Sequence, residues 1–509
     1  MFGGTVMKQL RHRIGNGAAV HKRNERGLAT LIVGAGSAGS ILARDLTRCA
    51  DYGLRPVAFL DDDLTKRFVE GLPVIGRLED LSRAVRGKGI EAVVIAIPSL
   101  PNARLRVLLD AAASSAARVR YLPTFHAAMQ RDPRGDDLRD LRIPALLGRE
   151  ELHVARSSVR NTIRGRRVLV TGAGGSIGSE LCRQLRALDP ASLVMLDHDE
   201  SNLHTLQLTV SGEALLDTDD IVIADVRDRR RIEQVIADLR PDIIFHAAAH
   251  KHLPLLERHP CEGVKTNVWG TEVLARAAVE NGVERFILIS TDKAADPTSV
   301  LGATKSLAEA VVRHHGDGPT CFASVRFGNV LGSRGSFLTV VARQLALRDD
   351  VTVTHPDVER FFMTVEEAVG LVLEAASMAE YGETYVLDMG EPVRIVDLVD
   401  ACAAQLGVSD VTIKFTGLRP GEKLHEALFS ENEVRVSTAH PKIWATNGAL
   451  VADDFEEGLA ALYAAAESNT PADVREALGR LLPGYSNANM PTTQMTSSKL
   501  LAHAYADDY

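Results

Sequence analysis

Cysteine is scarce in this chain of 509 residues, and the five that occur (Cys49, Cys182, Cys261, Cys321 and Cys402) form no CxxC pair and have no histidines at metal-ligand spacing. That excludes a disulfide framework, gives no reason to expect a bound metal, and suits a reducing, cytoplasmic compartment. Positive charge is also short. The 58 Lys and Arg face 67 Asp and Glu, a net charge of -9, which argues against a general nucleic-acid binder. No apolar run approaches the roughly 20 residues needed to cross a bilayer, and MFGGTVMKQLRHRIGNG lacks the apolar centre of a secretory signal, so a soluble protein is expected. Residues 1–27 carry six Lys or Arg against one Glu and read as a solvated basic leader, with weak contact to an anionic membrane surface as the alternative.

What is present is ordinary globular material, 45% hydrophobic and 25% charged, over a length that calls for two or more domains. Two segments repeat one logic, an apolar strand running into a glycine-rich turn and then an amphipathic helix: ATLIVGAGSAGSILARDL at 29–46 and RVLVTGAGGSIGSELCRQL at 167–185. Each reads as a Rossmann-like unit. After the first, RPVAFLDDD, LPVIGRLEDLSRAV and IEAVVIAIPSL alternate short buried strands with helices. After the second, SLVMLD, DIVIADV, DIIFHAAA, RFILIST, TCFASVRFGNV and ETYVLDMG are too many strands for a half-domain and predict a full α/β doubly wound parallel sheet. The expected division is a basic leader at 1–27, a smaller Rossmann-like domain at 28–147, a charged linker at 148–165, a larger domain at 166–484 and a polar, disordered tail at 485–509.

In TGAGGSIGSE, Gly172 permits a tight turn, Gly175 lets the backbone approach a pyrophosphate, and Gly178 lets the helix pack on the strand; Ser176 and Ile177 open the helix whose N-terminus faces the phosphates. Asp197 follows Gly178 by 19 residues at the end of an apolar strand, where a carboxylate accepts hydrogen bonds from a ribose diol. No Arg or Lys follows to take a 2′-phosphate, so NAD is favoured over NADP. Asp225 and Val226 end the next strand, in reach of adenine, and Ala247, Ala248 and Ala249 are small where the chain passes a nicotinamide ribose. The first motif offers Gly34, Gly36 and Gly39 with Asp61 or Asp62, but no reactive cluster follows it; a nucleotide-binding accessory role and a purely structural one both stay open.

Thr291, Asp292 and Lys293 end the strand RFILIS, at the carboxyl edge where doubly wound folds place their ligands. Leu301 and Lys305 lie one turn apart on the helix that follows. The segments TGAGGSIGSE, HAAAHKHLPLLE, KTNVWGT, STDKAADPTSVLGATK, VRFGNVLGSRGS, RFFMTVEEA and GLRPGEKLHEAL, in this order, resemble the bacterial nucleotide-sugar 4,6-dehydratases of capsule and glycan biosynthesis, a branch of the extended short-chain dehydrogenases. The resemblance covers residues 28 to about 445. It implies an accessory domain before the catalytic one, bound NAD, a UDP-sugar substrate of the UDP-N-acetylglucosamine kind, and a homo-oligomer paired through helices of the cofactor domain. Many long members carry N-terminal membrane helices, of which this sequence shows none.

Two positions depart from the wider pattern. Short-chain dehydrogenases usually carry a proton-accepting tyrosine where Leu301 stands, although this branch commonly has Met there. His250 replaces a usual tyrosine. By resemblance, Asp292 is the acid for the departing C6 hydroxyl, Lys293 the base at C5, Thr291 the hydrogen-bond partner of O4, and Lys305 the holder of the nicotinamide ribose. A base at Lys293 calls for a pKa brought down towards about 7 to 8. The acceptor of the O4 proton is Asp292 or a water relayed through Thr291. Asn267 braces the active-site helix, His246 and His252 are packing or loop residues, and Cys261 and Trp269 pack on the cofactor domain. For the substrate, Arg326, Asn329, Arg334, Arg360 and Arg419 offer donors to a diphosphate or a uracil, with His250, Lys251 and Glu422 beside them. The expected reaction is dehydration with C5 configuration retained; the alternatives are a nucleotide-sugar 4-epimerase and a catalytically silent NAD- or sugar-binding regulator.

Overall fold

The computed structural model describes residues 27–485, with breaks of which the longest span 98–103, 109–117, 123–138, 141–156, 212–217 and 449–453. The basic leader, the first part of the linker and the tail after Tyr485 lie outside the described residues.

The first glycine motif sits between β1 (Leu28–Val33) and α1 (Ser37–Arg48). With β2 (Leu54–Leu60), β3 (Ala92–Ile95), β4 (Arg118–Tyr121) and β5 (Arg139–Asp140), β1 forms a five-stranded sheet in the order β2-β1-β3-β4-β5. All its pairings are parallel except β4 with β5.

Within the expected linker, Ser157–Ile163 form a helix, α2, whose Val159 and Ile163 bury in the core of the second domain. The linker is therefore shorter than its charge pattern suggests. Two apolar residues four apart are enough to seat one turn of helix on a ready-made core.

The second domain is built on nine strands: β6 (Arg167–Thr171), β7 (Ser192–Asp197), β8 (Ile221–Ile223), β9 (Ile243–His246), β10 (Arg285–Ile289), β11 (Cys321–Arg326), β12 (Glu383–Leu387), β13 (Val436–Ser437) and β14 (Ile443–Thr446). Their order is β8-β7-β6-β9-β10-β11-β12-β14-β13, and only the last two pairings are antiparallel. Between the parallel strands β6 and β9 the strand order changes sense, so the crevice at their carboxyl ends is the topological switch point where such sheets bind ligands. Both faces of the sheet are covered, and the period of two shows which residue goes where. Val168 and Val170 bury on one face and Leu169 on the other; Ile243 and Phe245 oppose Ile244; Ile287 and Ile289 oppose Phe286 and Leu288.

Helices α3 (Ser176–Arg186), α4 (Gly270–Glu280), α5 (Val300–His314) and α6 (Val365–Met378) supply those covers. Helix α5, which carries Leu301 and Lys305, starts where Ser299 Oγ accepts from Gly302 N at 3.1 Å. Thr364 caps α6 in the same way, accepting from Glu367 N at 3.0 Å. A hairpin of α7 (Phe455–Glu467) and α8 (Pro471–Leu481) lies against the outer side of α5. Its Phe455, Leu459, Leu462, Val474 and Leu478 pack on Val264, Val268, Leu307 and Val311. Lys265 Nζ reaches Asn469 Oδ1 at 2.6 Å, Tyr463 donates to Glu272, and Arg475 donates to the Glu257 carbonyl. Among the described residues no helix is long and apolar enough to cross a membrane.

Candidate active site

The turn after β6 is shaped by what it cannot hold. Gly172 has φ +66, and a Cβ there would stand 2.5 Å from Ala248 N; at Gly178 a Cβ would stand 2.1 Å from the Gly172 carbonyl oxygen. Strand, turn and helix are in such contact that no side chain fits between them. Asp197 Oδ2 accepts from Gly174 N at 2.9 Å and Oδ1 from Asp199 N at 3.0 Å, which fixes the carboxylate beside the turn. A cavity of about 210 Å³ is walled by Gly172, Gly175, Asp197, Asp225, Val226 and the three alanines 247–249. Its wall also holds Arg227, which the sequence reading passed over; that guanidinium is taken up by Asp225 at 2.6 Å and Glu262 at 2.9 Å.

A second cavity of about 540 Å³ shares Gly175, Ala247, Ala249 and His250 with the first. Ser176, Ile177, Gly178, Lys251, Thr291, Lys293, Leu301, Lys305 and Asn329 line it, with Phe327, Phe337 and Phe362 as an apolar side that sequence reasoning did not foresee. Taken together the two form one crevice along the switch point. A glycine cradle, an α3 N-terminus with no side-chain cap and a carboxylate at the end of β7 fit a dinucleotide.

At the end of β10, Thr291 caps a short turn at Asp292–Ala294. Thr291 Oγ1 donates to Asp292 Oδ1 at 2.8 Å, and Lys293 Nζ donates to the same oxygen at 2.9 Å and to Asn329 Oδ1 at 3.1 Å. Asp292 is fully buried, its Oδ2 has no hydrogen-bond partner, and it stands behind Thr291 and Lys293 without lining the cavity. Sequence reasoning also missed Glu426. Its Oε1 lies 3.8 Å from Lys293 Nζ and 3.8 Å from Arg360 Nε.

The expected fall in the Lys293 pKa is corrected by these neighbours. Burial pulls the ammonium down, but Asp292 and Glu426 outweigh it and hold the group above the ordinary lysine value. Lys305 behaves differently: it is buried, burial brings it down to about 8 against the attraction of Glu309, and its Nζ donates to the Ile289 carbonyl at 2.6 Å. Asn267 does brace this region. Its Nδ2 donates to Thr304 Oγ1 on α5 at 3.0 Å and its Oδ1 accepts from His250 N at 2.8 Å. His246 is a core residue, held near a pKa of about 3 by burial and the Lys305 charge. Because Thr271 Oγ1 donates to the Asn267 carbonyl, it accepts from His246 Nε2, and Nδ1 accepts from Thr171.

The arginines expected on the nucleotide side divide. Arg326 does not reach the cavity and its assignment to substrate is corrected: it is 3% exposed and its guanidinium is paired with Glu309 at 2.6 Å and Glu433 at 2.7 Å. Arg334 lies outside the described residues. Arg360 pairs with Glu422 at 3.0 Å, and the exposed Arg419 donates its backbone N–H to Glu422 Oε2 at 3.1 Å. These three gather beside the cavity, on neither of its walls.

Comparison with known proteins agrees with this architecture. Residues 168–447 match the family described as "Polysaccharide biosynthesis protein", and residues 2–123 match a "CoA-binding domain". The "Probable polysaccharide biosynthesis protein EpsC" of Bacillus subtilis is 42% identical over 84% of this chain and 72% of its own length. Two shorter relatives match about half of the chain. The "UDP-glucose 4-epimerase" of Rickettsia felis is 32% identical over 52% of this chain and 78% of its own, and the "UDP-N-acetylglucosamine 4,6-dehydratase (inverting)" of Campylobacter jejuni 30% over 57% and 86%. The X-ray structure of Pen from Bacillus thuringiensis superposes with a TM-score of 0.52 at 30% identity, covering 56% of this chain and 89% of that one. The chain belongs to the polysaccharide biosynthesis protein family, with the doubly wound fold of the extended short-chain dehydrogenases.

Proposed function

We propose that this protein is an NAD-dependent nucleotide-sugar 4,6-dehydratase acting on UDP-N-acetylglucosamine or a similar UDP-hexosamine, with C5 configuration retained. The observation that carries the reading is the cluster Thr291–Asp292–Lys293 on a crevice continuous with the glycine turn, at a site whose usual phenol is replaced by Leu301. Gly172, Gly175, Ser176, Ile177 and Gly178 hold the NAD diphosphate, Asp197 the adenosine ribose, Asp225 and Val226 the adenine, and Ala247–Ala249 with Lys305 the nicotinamide ribose. Bound NAD supplies a two-electron store, filled from C4 of the sugar and emptied at C6.

The residues of the chain handle the protons. Thr291 takes the O4 proton and passes its own to Asp292 Oδ1, 2.8 Å away, so the pair does the work of a tyrosine. Lys293, on the cavity wall, removes the proton at C5, which the 4-keto group acidifies. Asp292 stands behind that wall, so its proton reaches the departing C6 hydroxyl through a side-chain turn or through the Thr291 hydroxyl. A lysine that takes the C5 proton and gives it back from the same wall keeps the configuration. His250, Lys251 and Asn329 face the sugar, and Arg360, Arg419, Glu422 and Arg334 serve the nucleotide end. The reaction leaves NAD unchanged overall.

Purified protein given UDP-N-acetylglucosamine is expected to yield a product lighter by one water in mass spectrometry. An isomer of unchanged mass points to the epimerase, and ligand binding with no turnover to a silent regulator.

A further inference from the structure

In the proposed reaction one proton has no place among the residues given a role above. Lys293 rests as an ammonium, held by Asp292 and Glu426. Once Asp292 has taken the O4 proton, Lys293 is still charged and cannot act at C5. A third group must first relieve it of a proton. Among the described residues, Glu426 is the only carboxylate besides Asp292 within 4 Å of Lys293 Nζ. Its side chain is 3% exposed, Oε1 is 3.8 Å from that nitrogen, and Oε2 is buried without a hydrogen-bond partner. Facing it are Lys293, Asp292, Arg360 and Lys423. Burial and the Asp292 charge favour the neutral carboxyl, the three cations favour the carboxylate, and burial prevails, so its affinity for a proton is raised. From the glutamate side this narrows the gap of roughly six pKa units that separates a solvated glutamate from a lysine, and from the lysine side Asp292, once it has taken the O4 proton, no longer holds Lys293 above its ordinary value.

We propose, resting on the dehydratase reading, that Glu426 is a positioning residue for Lys293, taking the lysine's resting proton before C5 is attacked and returning it afterwards. The step balances. An N–H bond of Lys293 breaks as an O–H bond forms on Glu426, and the freed lone pair takes the C5 proton. Asp292 gives its proton to the C6 hydroxyl, which leaves as water. C5 then regains a proton from Lys293, and Glu426 hands its own back. Every side chain ends as it began, and the O4 proton has left in the water.

The test gives NAD-loaded protein UDP-N-acetylglucosamine in deuterium oxide and reads deuterium at C5, water loss by mass, and the absorbance of reduced nicotinamide. In E426Q, which keeps the shape and cannot take a proton, C5 labelling and water loss fall about 10²-fold while the absorbance rises at the wild-type rate and KM stays within about twofold. E426D restores part of the loss. Unchanged C5 labelling in E426Q overturns the inference, and so does an equal loss of all three readings, which marks a packing role. Wild-type protein that never lightens the sugar by one water overturns the functional reading itself and the inference with it.

Discussion

Gly34 and Gly172 open turns braced in the same manner, although the second turn is one residue longer. A Cβ at Gly39 would stand 1.9 Å from the Gly34 carbonyl oxygen, as one at Gly178 would stand 2.1 Å from that of Gly172. Asp61 gives one oxygen to Ala35 N at 2.6 Å and the other to Asp63 N at 2.8 Å; Asp197 does the same for Gly174 N and Asp199 N. The difference lies in the neighbouring strand. After β3, Ile97 stands over the first turn, its Cγ1 2.4 Å from where a Gly34 Cβ would be, whereas after β9 the alanines 247–249 leave a cavity open. A glycine turn with its acidic brace is first a way to pack a helix on a strand. In the proposed reaction, chemistry is placed where the adjacent strands end in small residues and then in Thr-Asp-Lys.

Substitutions can break this comparison or sharpen it. The largest effect belongs to Lys293→Met, expected to cut water loss by about 10³-fold or more by mass spectrometry, against no change beyond about twofold for Asp61→Ala in the first unit. Next comes Asp197→Ala, which frees two backbone N–H groups and removes the ribose acceptor; the NAD dissociation constant should rise at least about tenfold by titration calorimetry, with Asp61→Ala again silent. Asn267→Ala strands the His250 backbone N–H and carbonyl and the Thr304 hydroxyl of α5, for a loss of about 1–3 kcal/mol in chemical denaturation and a fall in turnover larger than the fall in substrate affinity. The smallest is a pH effect. Lys305 titrates at about 8 in the folded chain and near 10.5 when unfolded, so the cost of its buried charge is fully present below about pH 8 and fades as pH rises towards 10.5. Lys305→Met should flatten the corresponding rise in denaturation midpoint, measured on protein free of NAD.

Strands, glycine turns and the Thr-Asp-Lys cluster were readable because each is written in contiguous residues with a short period. Pairings across the chain were not. Arg326 looked like a phosphate donor because nothing near it in sequence shows that Glu309 and Glu433, 17 and 107 residues away, close over its guanidinium. Glu426 was passed over for the same reason, 133 residues from Lys293 and in a loop without periodicity. The charged run at 148–165 concealed α2 because two buried apolar residues make too weak a pattern to stand out.

The hairpin of α7 and α8 has a practical bearing on anyone trimming this chain. A fragment ended at residue 447, where the match to the family ends, would keep every residue assigned to the reaction and yet lay bare Leu307 and Val311 on the helix that presents Lys305, together with Val264 and Val268 on the helical segment packed beside it. Such a greasy strip invites clumping. The shortest piece worth expressing runs past Tyr485.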